Sequence, residues 1–408
     1  MDKICIVGMG YIGLPTALMM AANGKSIIGV DINSDLILEL NNGKISFEEK
    51  GLQDIFEIAM KAGIKFETKY PSANIYIIAV PTPFNKKTKK INPDYVVRAL
   101  NSCLDVAEKE SIFIIESTIA PGTIDKFIRP AIEKRGFCIG KDIHIAHAPE
   151  RIIPGNMINE LIYNSRVVGV DSEIIGERIK QIYKSFCKSE IIITSIRNAE
   201  MCKVVENSYR DVNIAFANEL AKICRQDNLD VYEIIKIANM HPRVNILNPG
   251  PGVGGHCISV DPWFLVGDYP NISLLIHEAR KINDSMPAFV LERIKDILKE
   301  NNMTIKSKIG FYGIAYKENV DDTRESPTLQ LYNHLELHLS QSSIFFDPFC
   351  KNIILNGQIN NFEQFASECD LIVIMVGHDH ILENFDIIKN KIILDTKNII
   401  KKPGIYKL

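Results

Sequence analysis

The chain has 408 residues, 46% of them hydrophobic and 24% charged, which excludes a disordered or fibrous polypeptide. Its 47 basic and 50 acidic side chains leave a formal charge of −3, so no global field recruits nucleic acid or an anionic membrane. At roughly 100–200 residues per domain, this length predicts two or three domains.

The first strand candidate is Lys3–Val7, followed by Ser26–Asp31, Ile75–Val80, Ile112–Glu116 and Ile143–His147. All are short Ile- and Val-rich runs bounded by polar or Gly-containing segments. Helical stretches alternate with them at Leu14–Asn23, Leu36–Asn42, Leu52–Ala62, Pro93–Glu108 and Ile124–Arg135. This alternation predicts βαβ units and a mostly parallel sheet, with Val167–Val170 and Ile191–Thr194 as further strands. From Ala199 to Asn239 there is no Pro or Gly, and Val204, Val205, Tyr209, Val212, Phe216, Leu220 and Ile223 recur with helical spacing. One long helix and a shorter one are expected there. A Pro- and Gly-dense run, His241–Gly255, precedes another helical stretch, Ile272–Asn301. Alternation then returns: strands at Lys308–Ile314, Ser343–Phe346, Leu371–Val376 and Lys391–Asp395, helices at Thr328–Leu337 and Phe362–Glu368. The expected fold class is α/β, with a Rossmann-like domain over 1–196, a central helical region over 197–301 and a smaller α/β domain over 302–408.

Ile4 to Ala22 carries no charge and has the length of a membrane helix. It contains Gly8, Gly10, Gly13 and Pro15, however, and Gly8-Met-Gly10-Tyr11-Ile12-Gly13 joins the first strand to the first helix. The first glycine makes a tight turn, the second admits a pyrophosphate to the backbone, and the third packs helix on strand. The free N–H groups at the helix start attract phosphates. Asp31 closes the second strand, where a carboxylate accepts ribose hydroxyls and repels a 2′-phosphate, favouring NAD over NADP. Thr82 and Thr118 follow later strand ends and are expected to line the same crevice.

Nine cysteines are scattered with no CxxC pair, which fits a reduced cytosolic compartment rather than a disulfide framework. Eight read as buried structural residues. Cys257 is different: it follows Pro249-Gly-Pro-Gly-Val-Gly254-Gly255-His256, a segment that brings backbone close to a ligand. If Cys257 opens a helix, the dipole stabilises its thiolate and Asp261 lies one turn along. A thiolate beside a nicotinamide adds to an aldehyde, and oxidation of the adduct gives a thioester that water cleaves. Cys257 with His256 or His241 lacks a regular zinc ligand set, so no metal is expected. His144 and His147 read as structural.

In this order the chain carries the glycine turn, Glu116-Ser-Thr118, Ala148-Pro-Glu150-Arg151, Glu200-Met-Cys-Lys203-Val-Val-Glu-Asn207, Gly254-Gly-His-Cys257 and Tyr316-Lys317 through Arg324-Glu-Ser-Pro327. Together these resemble the UDP-glucose/GDP-mannose dehydrogenase family over nearly the whole chain. The resemblance implies an NAD-binding N-terminal domain, a central region that forms a homodimer, and a UDP-binding C-terminal domain. It implies oxidation of a sugar C6 alcohol to a carboxylate with two NAD⁺, making a uronate for a surface polysaccharide. By the same resemblance Cys257 is the nucleophile, Lys203 and Asn207 hold the reacting oxygen, and Glu150, Asp261 and Thr118 serve thioester hydrolysis. Lys203 and Asn207 sit at i and i+4 and so point together; without the resemblance they are an ordinary polar helix stripe. Arg151, Ile152, Arg210, His241, Arg243, Gly254, Tyr316, Lys317 and Lys397 match substrate-binding positions, with Arg243 reaching across the dimer. Arg324 matches an NAD contact. Ser259-Val260 before Asp261, where UDP-glucose enzymes carry Pro-Lys, points to a UDP-N-acetylhexosamine, and the likeness of the loops around Arg243 and Trp263 puts the D-manno epimer before the D-gluco epimer. A single-step hydroxyacid-type dehydrogenase has no use for Cys257. A non-catalytic NAD- or UDP-sugar-binding regulator has no use for Lys203.

Overall fold

The computed structural model describes residues 2–47, 49–85, 87–255, 257–304, 307–335 and 343–408. The chain divides into two compact units, Met1–Glu206 and Asn207–Leu408. Its architecture is an N-terminal Rossmann-like α/β domain, a central helical region and a small C-terminal α/β domain.

In the first unit, β1 (Lys3–Val7), β2 (Ser26–Val30), β3 (Lys65–Glu67), β4 (Ile75–Ile78), β5 (Ser111–Ile115), β6 (Ile143–His147), β7 (Arg166–Val170) and β8 (Ile191–Thr194) form one sheet. The strand order is β3-β2-β1-β4-β5-β6-β7-β8. Alternate residues of β1 feed opposite faces: Ile4 and Ile6 join one core cluster, Cys5 and Val7 the other. Full burial of Ile4, Ile6 and Val7 contributes about 1.5–3 kcal/mol each. β3 escaped the sequence reading because Lys65-Phe-Glu has one apolar residue, and only Phe66 is buried. The sheet is parallel except for the β6–β7 pair, which is antiparallel, Ala146 opposite Val170 and His147 opposite Gly169.

The uncharged run from Ile4 folds as β1, the glycine turn and α1 (Gly13–Ala22), whose residues are buried from Gly13 to Ala21. Among the described residues no helix is long and apolar enough to cross a membrane. The further helices of this unit are α2 (Ser34–Asn41), α3 (Leu52–Lys61), α4 (Asp94–Leu104), α5 (Arg129–Lys134), α6 (Met157–Tyr163) and α7 (Glu173–Tyr183). The expected helix Ile124–Arg135 is wound as a π segment over Ile124–Ile128 before α5. Pro130 has no N–H to give the carbonyl one turn back, and Arg129 N–H reaches Ile124 O instead.

α8 (Ile196–Gln226) runs unbroken for 31 residues, and α9 (Val231–Ala238) is capped by the Asp230 carboxylate on the N–H groups of Tyr232 and Glu233. α10 spans Asp261–Asp268. The expected helix Ile272–Asn301 is two, α11 (Leu274–Asp284) and α12 (Met286–Glu300), because Pro287 cannot continue a helix but suits a first turn. The last domain has β9 (Ile309–Tyr312), β10 (Ser343–Phe346), β11 (Leu371–Ile374) and β12 (Ile392–Asp395) in the order β10-β9-β11-β12, all pairs parallel. α13 covers Pro327–His334; the end expected at Leu337 lies outside the described residues.

Candidate active site

At the end of β1, Gly8 has φ +96°, and a Cβ there would overlap the Ala79 carbonyl. A Cβ on Gly13 would overlap the Gly8 carbonyl oxygen and sit 3.3 Å from Ala79 Cβ. Gly10 differs: it is exposed and has no neighbour within 4 Å of its Cβ position. Two glycines thus close the turn against protein, while the third leaves backbone open to a ligand. Asp31 Oδ2 accepts the Met9 N–H at 2.8 Å and Oδ1 the Asn33 N–H at 2.9 Å, so the carboxylate is aimed by backbone donors beside the turn. Ile12 caps α1 and Tyr11 stacks on Phe47 with ring centroids 4.3 Å apart. Exposed backbone at a helix start, with an oriented carboxylate at the next strand end, fits the pyrophosphate and ribose of NAD.

The loops after β4 and β5 meet. Thr82 Oγ1 donates to the Thr118 carbonyl at 2.6 Å, and Ser117 Oγ to the Val80 carbonyl at 2.7 Å. Glu200 on α8 accepts the N–H groups of Gly122 at 2.5 Å and Ile124 at 2.9 Å, tying the Thr118 loop to the helix that carries Lys203. Burial raises the Glu200 carboxyl, against the pull of those two donors. Lys203 is only 6% exposed, and its side chain has no hydrogen bond or ion pair among the described residues.

Glu150 is buried and doubly held. Its Oε1 accepts the Arg151 N–H at 2.7 Å, and its Oε2 pairs with Arg166. Arg166 also reaches Glu116 Oε1 at 2.9 Å, and the Tyr183 hydroxyl donates to that same oxygen at 3.1 Å. Burial pushes the Glu116 carboxyl up to about 7; Arg166 opposes this and Glu150 adds to it. The sequence reading assigned no role to Glu116, Arg166 or Tyr183. The available signal was an arginine opening a strand that is otherwise apolar, Arg166-Val-Val-Gly-Val. Arg151 is committed to Glu206 Oε1 at 2.5 Å and to Ser165 Oγ at 2.9 Å. The Ile152 side chain belongs to the hydrophobic core, leaving only its backbone for a ligand.

In the second unit the glycine segment packs on the loop after β9. A Cβ on Gly254 would press on Glu325 O at 2.6 Å and Tyr316 Cβ at 2.7 Å; one on Gly255 would meet the Tyr316 ring at 2.8 Å. Gly255 N–H donates to the Arg324 carbonyl at 2.9 Å. Gly254, Tyr316 and Arg324 are therefore neighbours. The Arg324 guanidinium forks onto Asp322, with Nε to Oδ1 at 2.9 Å and Nη2 to Oδ2 at 2.5 Å. Lys397 Nζ lies 3.7 Å from the Cβ position of Gly250, and Lys317 is partly exposed.

Cys257 is half-buried and forms no disulfide among the described residues. It does not open a helix. Its carbonyl accepts Val260 N–H at 3.0 Å and Asp261 N–H at 2.8 Å in a turn, and α10 starts at Asp261. Pro262 suits the first turn of a helix and sets that start. Asp261 meets Asn207, whose Nδ2 donates to Oδ2 at 2.6 Å with both residues buried. Arg210, His241 and Arg243 are exposed. His256 lies outside the described residues. No group of three or more His, Cys, Asp or Glu among the described residues is arranged to hold a metal.

The chain matches the UDP-glucose/GDP-mannose dehydrogenase family in three consecutive parts: the NAD binding domain over 2–187, the central domain over 197–285 and the UDP binding domain over 310–402. It is 43% identical to the UDP-N-acetyl-D-mannosamine dehydrogenase of Methanocaldococcus jannaschii, across 98% of this chain and 93% of that one. Identity to the Escherichia coli protein of the same name is 37%, across 97% and 98%. The solved UDP-N-acetyl-mannosamine dehydrogenase of Staphylococcus aureus superposes with a TM-score of 0.89 at 42% identity, over 100% of this chain and 98% of that one. With matches in all three parts and in the order of its motifs, the chain belongs to the UDP-glucose/GDP-mannose dehydrogenase family.

Proposed function

We propose that this chain oxidises the C6 alcohol of UDP-N-acetyl-D-mannosamine to the carboxylate, using two NAD⁺ and one water per sugar and releasing two NADH and three protons. The observation that carries the substrate is likeness over nearly the full chain to proteins named for that sugar. The half-buried Cys257 at the end of its glycine segment supports the four-electron course.

NAD, when bound, supplies the hydride acceptor for each oxidation. Residues 1–196 hold it, 302–408 hold UDP, and 197–301 join two copies. Gly8, Gly10, Tyr11, Ile12 and Gly13 receive the pyrophosphate, Asp31 the ribose hydroxyls, and Thr82, Thr118 and Arg324 the rest of the cofactor. Lys203 and Asn207 hold the C6 oxygen as its proton leaves, where a fixed cation lowers an alkoxide-like transition state. The Cys257 thiolate adds to the aldehyde carbon, the adduct is oxidised to a thioester, and water cleaves it. Asp261, oriented by Asn207, and Glu150 take protons from that water, with Thr118 assisting. Arg151, Ile152, Arg210, His241, Arg243, Gly254, Tyr316, Lys317 and Lys397 bind the UDP-sugar. Charge-assisted hydrogen bonds from the cationic side chains let a chain of net charge −3 bind two anionic ligands.

A homodimer is supported by α8, where Tyr209 and Phe216 are 65% and 51% exposed on one face with Ile223. A cytosolic setting is supported by the scatter of the nine cysteines along the sequence, with no CxxC pair. The test is NADH yield with limiting UDP-N-acetylmannosamine or UDP-N-acetylglucosamine. Two NADH per manno sugar is expected. The same ratio from the gluco epimer alone overturns the substrate. A ratio of one overturns the role of Cys257.

A further inference from the structure

We propose that Arg166 is a positioning residue for Glu150 in thioester hydrolysis, delivered to the ligand-bearing edge of the sheet by the reversal of β7. This rests on the reading above, in which Glu150 serves that step.

In a doubly wound sheet, ligands sit beyond the carboxyl ends of the parallel strands. Glu116 and Glu150 follow the carboxyl ends of β5 and β6. Had β7 run parallel to them, its first residue would lie at the opposite edge, about 13 Å away for a five-residue strand. Instead β7 is antiparallel to β6, with Ala146 opposite Val170 and His147 opposite Gly169. Carrying that register onward brings Arg166 opposite Glu150, and the two are ion-paired. The reversal thus supplies a cation at the edge where two carboxylates converge.

Arg166 is itself fixed. Its guanidinium lies over the Tyr183 ring, 4.2 Å from the centroid, and the same tyrosine holds Glu116 through its hydroxyl. With Arg151 N–H on the other oxygen, Glu150 cannot swing about its terminal torsion, which is otherwise broad. Buried ion pairs seldom add stability over apolar packing of the same volume. A three-residue ionic cluster in a sheet core is therefore better accounted for by the orientation it imposes on Glu150. In the step itself, water oxygen bonds to the thioester carbon and a water proton passes to the Glu150 carboxylate. The C–S bond then breaks, its electron pair stays on Cys257 Sγ, and the sugar carboxylic acid so formed gives its proton to solvent and leaves as the carboxylate.

The test compares wild type with Arg166→Gln and Tyr183→Phe in stopped-flow NADH formation and intact-protein mass at saturating NAD⁺ and sugar. Tyr183→Phe removes one hydroxyl without changing ring volume, so it stays informative if Arg166→Gln fails to fold. Tyr183→Phe is expected to keep the first-turnover NADH burst and KM while steady-state turnover falls several-fold. Arg166→Gln should lower it by about 10²-fold, the scale of a misplaced catalytic group. An acyl adduct on Cys257 should accumulate in both. Burst and steady state falling in the same proportion, or unchanged turnover in Tyr183→Phe, overturns the role of Arg166. A wild-type yield of one NADH per sugar overturns instead the reading on which it rests.

Discussion

Gly10→Ala and Gly13→Ala make the same change three residues apart and should have opposite consequences. At Gly10 the added methyl meets nothing within 4 Å, and the backbone is outside the left-handed region, so the fold tolerates it. Stability should hold or rise slightly, because alanine restricts the unfolded chain. The methyl would stand where a pyrophosphate approaches the N–H groups at the start of α1. Losing one charge-assisted hydrogen bond, about 1.5–3 kcal/mol, weakens NAD binding by roughly 10- to 100-fold. At Gly13 the methyl overlaps the Gly8 carbonyl oxygen, a backbone atom that cannot rotate away, and crowds Ala79 Cβ at 3.3 Å. Overpacking costs about 1–3 kcal/mol, and the gain in helix propensity offsets at most about 1. A net loss of about 2 kcal/mol lowers the melting temperature of a domain this size by about 4–8 °C. The assays are melts without ligand and NAD titration by calorimetry. Wild-type NAD affinity in Gly10→Ala, or a wild-type melt in Gly13→Ala, would refute the division of labour among the glycines.

Two further outcomes follow from buried and exposed charges. Burial holds His147 down at about 4, against the support of the Ile115 carbonyl 2.7 Å from Nδ1. The folded state keeps this ring neutral, so its contribution is complete above the unfolded pKa of about 6.5 and is lost as pH falls towards 4, about 3 kcal/mol in all. His147→Asn keeps a donor for Ile115 but cannot titrate. The gap in urea stability between wild type and variant should therefore shift by about 2 kcal/mol against wild type from pH 7.5 to pH 5, and a constant gap rules this out. Arg243→Ala should raise KM for the UDP-sugar. Mixed with Cys257→Ser, it should regain partial turnover if Arg243 serves a second copy's site, and no recovery after subunit exchange removes that placement.

The C-terminal domain repeats a device of the first. Asp31 accepts Met9 N–H after β1, and Asp347 accepts Ile314 and Ala315 N–H after β9, at 2.6 and 2.9 Å. Asp347 also accepts Phe349 and Cys350 N–H and faces His378 Nε2 at 3.2 Å. Despite burial, His378 and these donors hold its carboxyl below the usual carboxylate range. Saturated in this way, Asp347 fastens its loop. Asp31 is only half-buried and keeps room for a ligand. Both residues close a strand, and their number of neighbours, invisible in the sequence, separates them.

The amino-acid sequence by itself determined every strand but β3, most of the helices and the glycine turn, and it singled out Asp31 and Cys257 as candidates. Each is encoded within a few residues, as a period of two or 3.6, a glycine where a Cβ cannot fit, or a proline that halts a helix. The family motifs extended this to Lys203, Asn207 and Glu150. Only the tertiary structure decided which of these side chains meet. Asn207 and Asp261 are 54 residues apart in the chain and 2.6 Å apart in space. Arg166 joins Glu150 and Glu116 because one strand pair runs antiparallel in a sheet whose alternating pattern predicts parallel pairs. Strand direction and long-range pairing arise from how separate segments share one core, and no local pattern of residues specifies them.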